Sequence, residues 1–199
     1  MDKLFIGIPY SGFTTVEWAI ALRLLEIPCP YLISIVKGYP IHVAREELVK
    51  DAKQAKASHL FFLDTDVIPP KDAIKKLAAH EFPVISLLYP SKRGEWCCYM
   101  QDGNGNYVSI DAHKKVGFVD AVGLGACLID MRVFDRIEPP YFGWTYTSDG
   151  GKSEDIIFCE KLRKAGFNIL VDGGVVAKHV FVGSMISPKK IKTLMVEGG

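Results

Sequence analysis

The stretch Leu60-Phe61-Phe62-Leu63-Asp64-Thr65-Asp66-Val67-Ile68-Pro69-Pro70 sets two carboxylates, one residue apart, at the end of an apolar run. A short apolar run predicts a buried strand. Pro69 and Pro70 stop it, and Pro70 suits the first turn of a following helix. Carboxylates at the end of a buried strand lose hydration and need a counter-charge. A divalent cation supplies one, since hard oxygen ligands suit magnesium or manganese, and open coordination positions would remain for a diphosphate. Two solvated acids, one of them capping the next helix, would give the same three letters. A second acidic pair stands in Ser153-Glu154-Asp155-Ile156, after a long loop and at the start of a late helix. Ser153 fits the N-cap position and puts both acids in the first turn, where the helix dipole favours their ionised form at neutral pH. An ionised carboxylate beside a loop can take a proton from a hydroxyl as a general base, although acids in a first turn are also ordinary helix punctuation. His179 follows a late strand in Ala177-Lys178-His179-Val180. Alone it reads as a hydrogen-bonded core histidine, and its company raises its interest. His42, His59, His80 and His113 show no site-like spacing.

The elements that must hold these groups alternate. Residues 4–8 form a short apolar strand, and Thr14 with Glu17 makes a capping box for a helix whose core face is Val16, Ile20, Leu24 and Ile27. Residues 31–36 read as a second strand. Ala44, Leu48, Ala52 and Ala55 mark a helix that turns Glu46, Lys50 and Lys53 outward. The Asp64/Asp66 strand is third, Ile74, Leu77 and Ala78 mark the next helix, and residues 83–89 the fourth strand. Alternation of this kind predicts a largely parallel sheet between helices, with ligands at the strand carboxyl ends, where Asp64 and Asp66 fall.

Beyond Pro90 the pattern changes. Residues 96–100 and 107–110 flank Asp102-Gly103-Asn104-Gly105, a hairpin signal. A calcium loop is excluded there, because its glycine position holds Tyr107 and its closing glutamate position holds His113. Residues 119–122 and 126–129 read as strand around Gly123-Leu124-Gly125, residues 138–153 as a loop, 154–165 as a helix, and 169–171 and 175–177 as late strands.

The 199 residues, 49% hydrophobic and 11% aromatic, describe one globular domain, and a net charge of +1 gives no reason to expect nucleic acid as a partner. Five cysteines without a CxxC pair fit a reducing compartment, with Cys127 and Cys159 as buried thiols. Asp2 and Lys3 lead directly into a strand without a signal-peptide pattern, and no apolar run reaches the roughly 18 to 20 residues of a membrane span. The expectation is a soluble, cytoplasmic chain. Lys189, Lys190 and Lys192 would allow peripheral contact with an anionic membrane.

This ordered set resembles the GT-A glycosyltransferases, in particular the inverting family-2 type, over most of the chain. The similar segments are Phe5-Ile6-Gly7-Ile8-Pro9-Tyr10, Val43-Ala44-Arg45-Glu46, Asp64-Thr65-Asp66, Val122-Gly123-Leu124-Gly125-Ala126-Cys127-Leu128-Ile129 with Arg132-Val133-Phe134, Ser153-Glu154-Asp155, Gly166-Phe167 and His179. The resemblance implies a single GT-A domain, an α/β/α sandwich on a mostly parallel sheet with a small antiparallel extension. Residues 1–90 would be its nucleotide-binding half and 91–199 its donor-sugar and acceptor half. It implies transfer of a sugar from a UDP- or GDP-linked donor to a hydroxyl of a glycan, protein or lipid-linked acceptor, with inversion. Manganese or magnesium would be held by Asp66, with Asp64 on a ribose or metal-bound water and His179 completing the shell. Pro9, Tyr10, Arg45, Thr65, Gly123 and Gly125 join the two aspartates as donor-binding residues. Asp155 is the base, with Trp144, Tyr146 and Glu154 on the acceptor. Glu46-Glu47 departs from the family's asparagine after the arginine, and only residues 180–199 follow His179, as in a minimal catalytic core.

Three other functions use similar residues. A haloacid-dehalogenase-type phosphatase wants its DxD on the first strand, with Thr or Val where Ile68 stands. A sugar nucleotidyltransferase wants a basic, glycine-rich loop where Pro9-Tyr10-Ser11-Gly12-Phe13 stands. A non-catalytic nucleotide-sugar or carbohydrate-binding module would not need Asp155.

Overall fold

The computed structural model describes residues 1–147 and 150–180. From β1 (Leu4–Tyr10) the chain runs through α1 (Val16–Leu24) to β2 (Tyr31–Lys37), then through α2 (Ile41–Gln54) to β3 (His59–Leu63). A two-residue strand, β4 (Val67–Ile68), follows the aspartates, then α3 (Ala73–Ala78) and β5 (Val84–Leu88). Short strands come next: β6 (Cys98–Gln101), β7 (Tyr107–Ser109), β8 (Val116–Val119), β9 (Ala121–Val122) and β10 (Ala126–Asp130), the last closed by a 3-10 turn over Met131–Asp135. β11 (Thr145–Thr147) pairs with β12 (Gly150–Lys152) ahead of α4 (Glu154–Lys164), and β13 (Ile169–Val176) and β14 (Lys178–His179) complete the described elements.

Seven strands make the main sheet in the order β2-β1-β3-β10-β5-β13-β8. β2, β1 and β3 are parallel, as are β5 and β13, while β10 lies antiparallel between β3 and β5, and β8 is antiparallel to β13. Apolar side chains leave both faces. Phe5 and Phe62 enter one core with Leu48 of α2 and Phe158 and Leu162 of α4, whereas Leu4, Ile6 and Phe61 enter the other with Trp18 of α1 and Ile74 and Leu77 of α3. The arrangement is a mixed α/β sandwich on a mostly parallel sheet, as the alternation predicts. A smaller sheet, β7-β6-β9, is the antiparallel extension. No helix among the described residues is long and apolar enough to cross a membrane.

Several local expectations are corrected. The α1 stripe expected in the core is in solvent, with Val16 73%, Ile20 53% and Leu24 57% exposed, while Trp18 is buried instead. Trp18 wins the core position because its indole N–H donates to the Asp64 carbonyl at 2.8 Å, so one residue packs with the apolar side chains of β1 and β3 and satisfies a polar group. The cap is one residue later than expected: Thr15 Oγ1 accepts from Trp18 N at 3.2 Å, and Thr14 donates its hydroxyl to the Thr65 carbonyl at 2.8 Å. Glu46 faces inward and accepts the Phe142 N–H at 2.7 Å. The stretch 119–122 is divided, because β8 belongs to the main sheet and β9 to the smaller one. The two expected late strands are one, β13, with an irregularity between Asp172 and Val176. The predicted loop 138–153 contains the β11–β12 pair. At 102–106 the turn is as read, with Asp102 Oδ1 accepting from Asn104 N and Asn106 N at 2.9 and 2.8 Å. Lys189, Lys190 and Lys192 lie outside the described residues.

Candidate functional site

The carboxyl ends of β1 and β3 open on a cavity of about 560 Å³, the place where parallel sheets bind ligands. Pro9 and Tyr10 from the end of β1 line it, together with Asp64, Thr65 and Asp66 from the turn after β3. Trp144, Ser153, Glu154 and Asp155 close the opposite side. Three distant parts of the sequence therefore meet in one volume.

The aspartate turn is fixed from several directions. Asp64 N donates to the Gly125 carbonyl at 2.9 Å, and Val67 N donates back to the Asp64 carbonyl at 3.1 Å. β14 pairs antiparallel with β4, setting His179 opposite Val67, and Val180 N donates to the Asp66 carbonyl at 2.7 Å. The pairing brings His179 Nε2 to 3.2 Å from Asp66 Oδ2. The other ring nitrogen, Nδ1, lies 2.8 Å from the Pro90 carbonyl, which makes it the donor and directs Nε2 at the carboxylate. Lys92 Nζ reaches the same Asp66 oxygen at 3.0 Å. Burial would raise the Asp66 pKa, but the bonds from His179 and Lys92 outweigh it and hold the carboxyl below its usual range. Burial likewise disfavours a charged His179, and its bonds to Asp66 and Pro90 reverse the sign and raise it.

Asp64 points elsewhere. Its Oδ2 accepts from Arg45 NH2 at 3.0 Å, and Arg45, 1% exposed, also stands with Nε 3.6 Å from Glu154 Oε1 and its guanidinium 4.9 Å from the centre of the Phe62 ring. Arg45 stays charged: burial opposes this, but Asp64, Asp155 and Glu154 outweigh it and raise its pKa. Burial raises the Asp64 pKa against the pull of Arg45. Its second oxygen, Oδ1, is buried and has no hydrogen-bond partner among the described residues.

Glu154 overturns the expectation that both first-turn acids are ionised at neutral pH. Burial, then the neighbouring Asp155 charge, pushes its pKa up to about 8, beyond what Arg45 at 3.6 Å offsets. Ser153 holds the expected N-cap position, but its side chain makes no capping hydrogen bond.

The sequence-predicted residues are gathered unevenly. Pro9, Tyr10, Asp64, Thr65, Asp66, Trp144, Glu154, Asp155 and His179 all line the cavity. Arg45 does not; it lies beneath the floor and reaches the cavity only through Asp64 and Glu154. Gly123 and Gly125 are set back behind Tyr89. A Cβ at these positions would stand 2.2 and 2.8 Å from the Tyr89 hydroxyl, which accepts the Gly125 N–H at 2.9 Å. Their smallness makes room for that ring. Tyr146, 96% exposed, is outside the lining. Tyr39, Tyr89, Lys92 and Cys97 line the cavity without having been singled out. Lys92 sits in a polar turn between Pro90 and Gly94, and nothing in its local pattern separates it from other surface lysines. Burial pushes the Cys97 thiol up to about 12, so it is an inert wall residue.

The three expected metal ligands do not converge on one point. Asp66 and His179 meet, while Asp64 is turned onto Arg45, and no group of three or more His, Cys, Asp and Glu side chains among the described residues could hold a metal by itself. A carboxylate and an imidazole nitrogen directed at each other do fit two positions of a manganese shell. The shell would need oxygens from a bound phosphate.

No family model matches the sequence, and no curated protein matches it. Solved structures do. A197 from STIV superposes with a TM-score of 0.67 at 22% identity, over 91% of this chain and 86% of its own. GalNAc-T7 with UDP, GalNAc and Mn2+ gives 0.59 at 13% identity, over 90% of this chain and 44% of its own. S. aureus TarS 1-349 in complex with UDP-GlcNAc gives 0.54 at 16% identity, over 98% of this chain and 64% of its own. The chain thus spans less than half of GalNAc-T7 and just under two thirds of the TarS chain. The fold is similar to that of the GT-A glycosyltransferases.

Proposed function

We propose that this protein is a metal-assisted glycosyltransferase that moves a sugar from a nucleoside-diphosphate donor to an acceptor hydroxyl with inversion. The observation that carries the proposal is the meeting of Asp64, Asp66, His179 and Asp155 in one cavity at the carboxyl ends of the parallel strands. Neighbours of the same fold hold UDP with Mn2+ and UDP-GlcNAc, which supports a donor of that kind here.

In this proposal the Asp64 carboxylate, which lines the cavity, accepts a ribose hydroxyl, while Arg45 holds its Oδ2 and so fixes the carboxylate plane. Asp66 and His179 hold manganese or magnesium, which when bound supplies positive charge to the departing diphosphate. Asp155 accepts the proton of the acceptor hydroxyl as its oxygen bonds to the anomeric carbon and the bond from that carbon to the diphosphate breaks. A single displacement of this kind inverts the centre. Trp144, 58% exposed at the rim, offers a flat apolar face to a sugar.

Calorimetric titration of UDP and GDP, with manganese and with chelator, tests the proposal. One diphosphate is expected to bind at least about tenfold more tightly with the metal, a difference of about 1.4 kcal/mol. Asp66→Ala is expected to abolish the enhancement and leave the melting temperature nearly unchanged. Equal affinity with manganese and with chelator would overturn the metal assignment.

A further inference from the structure

Asp66 Oδ2 is shared by two nitrogens, His179 Nε2 at 3.2 Å and Lys92 Nζ at 3.0 Å. His179 comes from β14, while Lys92 stands on a separate hairpin. Pro90 and Trp96 form its bridge, Cys97 N donates to the Tyr89 carbonyl at 3.0 Å, and Gly94 N donates to the Ser91 carbonyl at 3.0 Å. The Pro90 carbonyl orients His179 from the base of this hairpin, and Lys92 extends from its tip to the same oxygen. The lysine stem is 59% exposed, so packing does not pin it, and Lys92 belongs to the cavity lining.

We propose that Lys92 is a diphosphate-binding residue held in reserve on Asp66, where its ammonium occupies the oxygen that a divalent cation must take. The inference rests on the glycosyltransferase reading and adds a residue to it. An ammonium is a compact point charge on a flexible stem, able to change partners without moving the backbone. A divalent ion on Asp66 Oδ2 repels it, and the hairpin keeps it at the cavity mouth. The anion that arrives with the ion is then its nearest partner, since lysine is a standard phosphate ligand. Lys92 should therefore oppose the metal alone and favour the metal together with a diphosphate.

That pair of opposite signs is the test. Calorimetry is run with Mn2+ alone, and then with inorganic pyrophosphate at saturating Mn2+, on the native protein, Lys92→Met and Lys92→Arg. Lys92→Met is expected to bind Mn2+ alone about three- to tenfold more tightly and pyrophosphate about tenfold or more weakly, with Lys92→Arg recovering most of the pyrophosphate affinity. Thermal melts of all three proteins are expected to coincide, because Lys92 is exposed. If Mn2+ binds the native protein and Lys92→Met shows no gain for the ion, or no loss for pyrophosphate, the role given to Lys92 is wrong while the metal assignment stands. If Mn2+ binds none of the three proteins, the metal assignment falls and this inference with it.

Discussion

Asp64 and Asp66 leave a strand and Glu154 and Asp155 enter a helix, yet each pair divides its members in the same way. One acid of each pair, Asp64 or Glu154, is directed at the buried Arg45, and the other, Asp66 or Asp155, is only partly buried at the cavity. A single guanidinium therefore ties the end of β3 to the start of α4, elements separated by some ninety residues of chain. The pairs differ in what the cavity-side member meets. Asp66 is already held by two cationic side chains and lies below its usual pKa, whereas the acid next to Asp155 is pushed upward. The Asp66 half of that difference suits the chemistry proposed for it, a carboxylate that binds cations. Under the proposed function, the interior member of each pair fixes geometry and the outer member does the chemistry.

Asp155→Asn separates the two roles most sharply. The change keeps the shape of the side chain and removes its ability to accept a proton. Turnover is expected to fall by about 10²- to 10⁴-fold, the range for loss of a general base, with donor affinity and melting temperature nearly unchanged. Transfer rate and donor affinity measured on the same variant check this. Near-normal turnover would take the base away from Asp155 and end the functional half of the comparison.

Arg45→Met attacks the structural half. Removing one partner of a buried ion pair costs about 3–5 kcal/mol, because the remaining charge is left without compensation. Asp64 is the acid left without its partner, since Glu154 keeps its proton near neutral pH, and a loss within that range is expected from denaturant unfolding. Adding Asp64→Asn and Glu154→Gln to Arg45→Met should restore part of the loss, since neutral amides need no counter-charge. A triple variant no more stable than Arg45→Met alone would show that Arg45 contributes by packing on Phe62, not by charge.

The parts of this site that were legible in the sequence are those set by chain order. An apolar strand ending in DxD, a long loop leading to an acidic first turn, and a histidine after the last long strand each report their own local element, and a parallel sheet brings such ends together. Lys92 was not legible, because a lysine in a Pro-Gly turn carries no sign that a distant aspartate will meet it. Arg45 stood in view as a charged residue of α2, but its burial depends on Phe62 and Glu154 from other elements. The apolar face of α1 misled for a related reason: periodicity counts Val16, Ile20 and Leu24 equally with Trp18, and only the Asp64 carbonyl decides for the indole. The small strand β4 was missed because its two residues gain their identity solely from pairing with β14.

A last expected effect concerns pH. Glu154 has a folded pKa raised to about 8 from an ordinary 4.5, with burial as the main cause. Between those values the native state keeps a proton that the unfolded chain has released, so stability falls as pH rises through this window. One proton sets a ceiling of about 1.4 kcal/mol per pH unit. Glu154→Gln cannot titrate, and its stability should fall less between pH 5 and pH 8 than that of the native protein. A residual slope is expected, because burial raises Asp64 as well and contributes with the same sign. Denaturant midpoints at the two pH values suffice. If the native protein and Glu154→Gln lost equal stability, Glu154 would be ionised throughout, Arg45 would be outweighing burial at α4, and the two acidic pairs would share their electrostatics as well as their geometry.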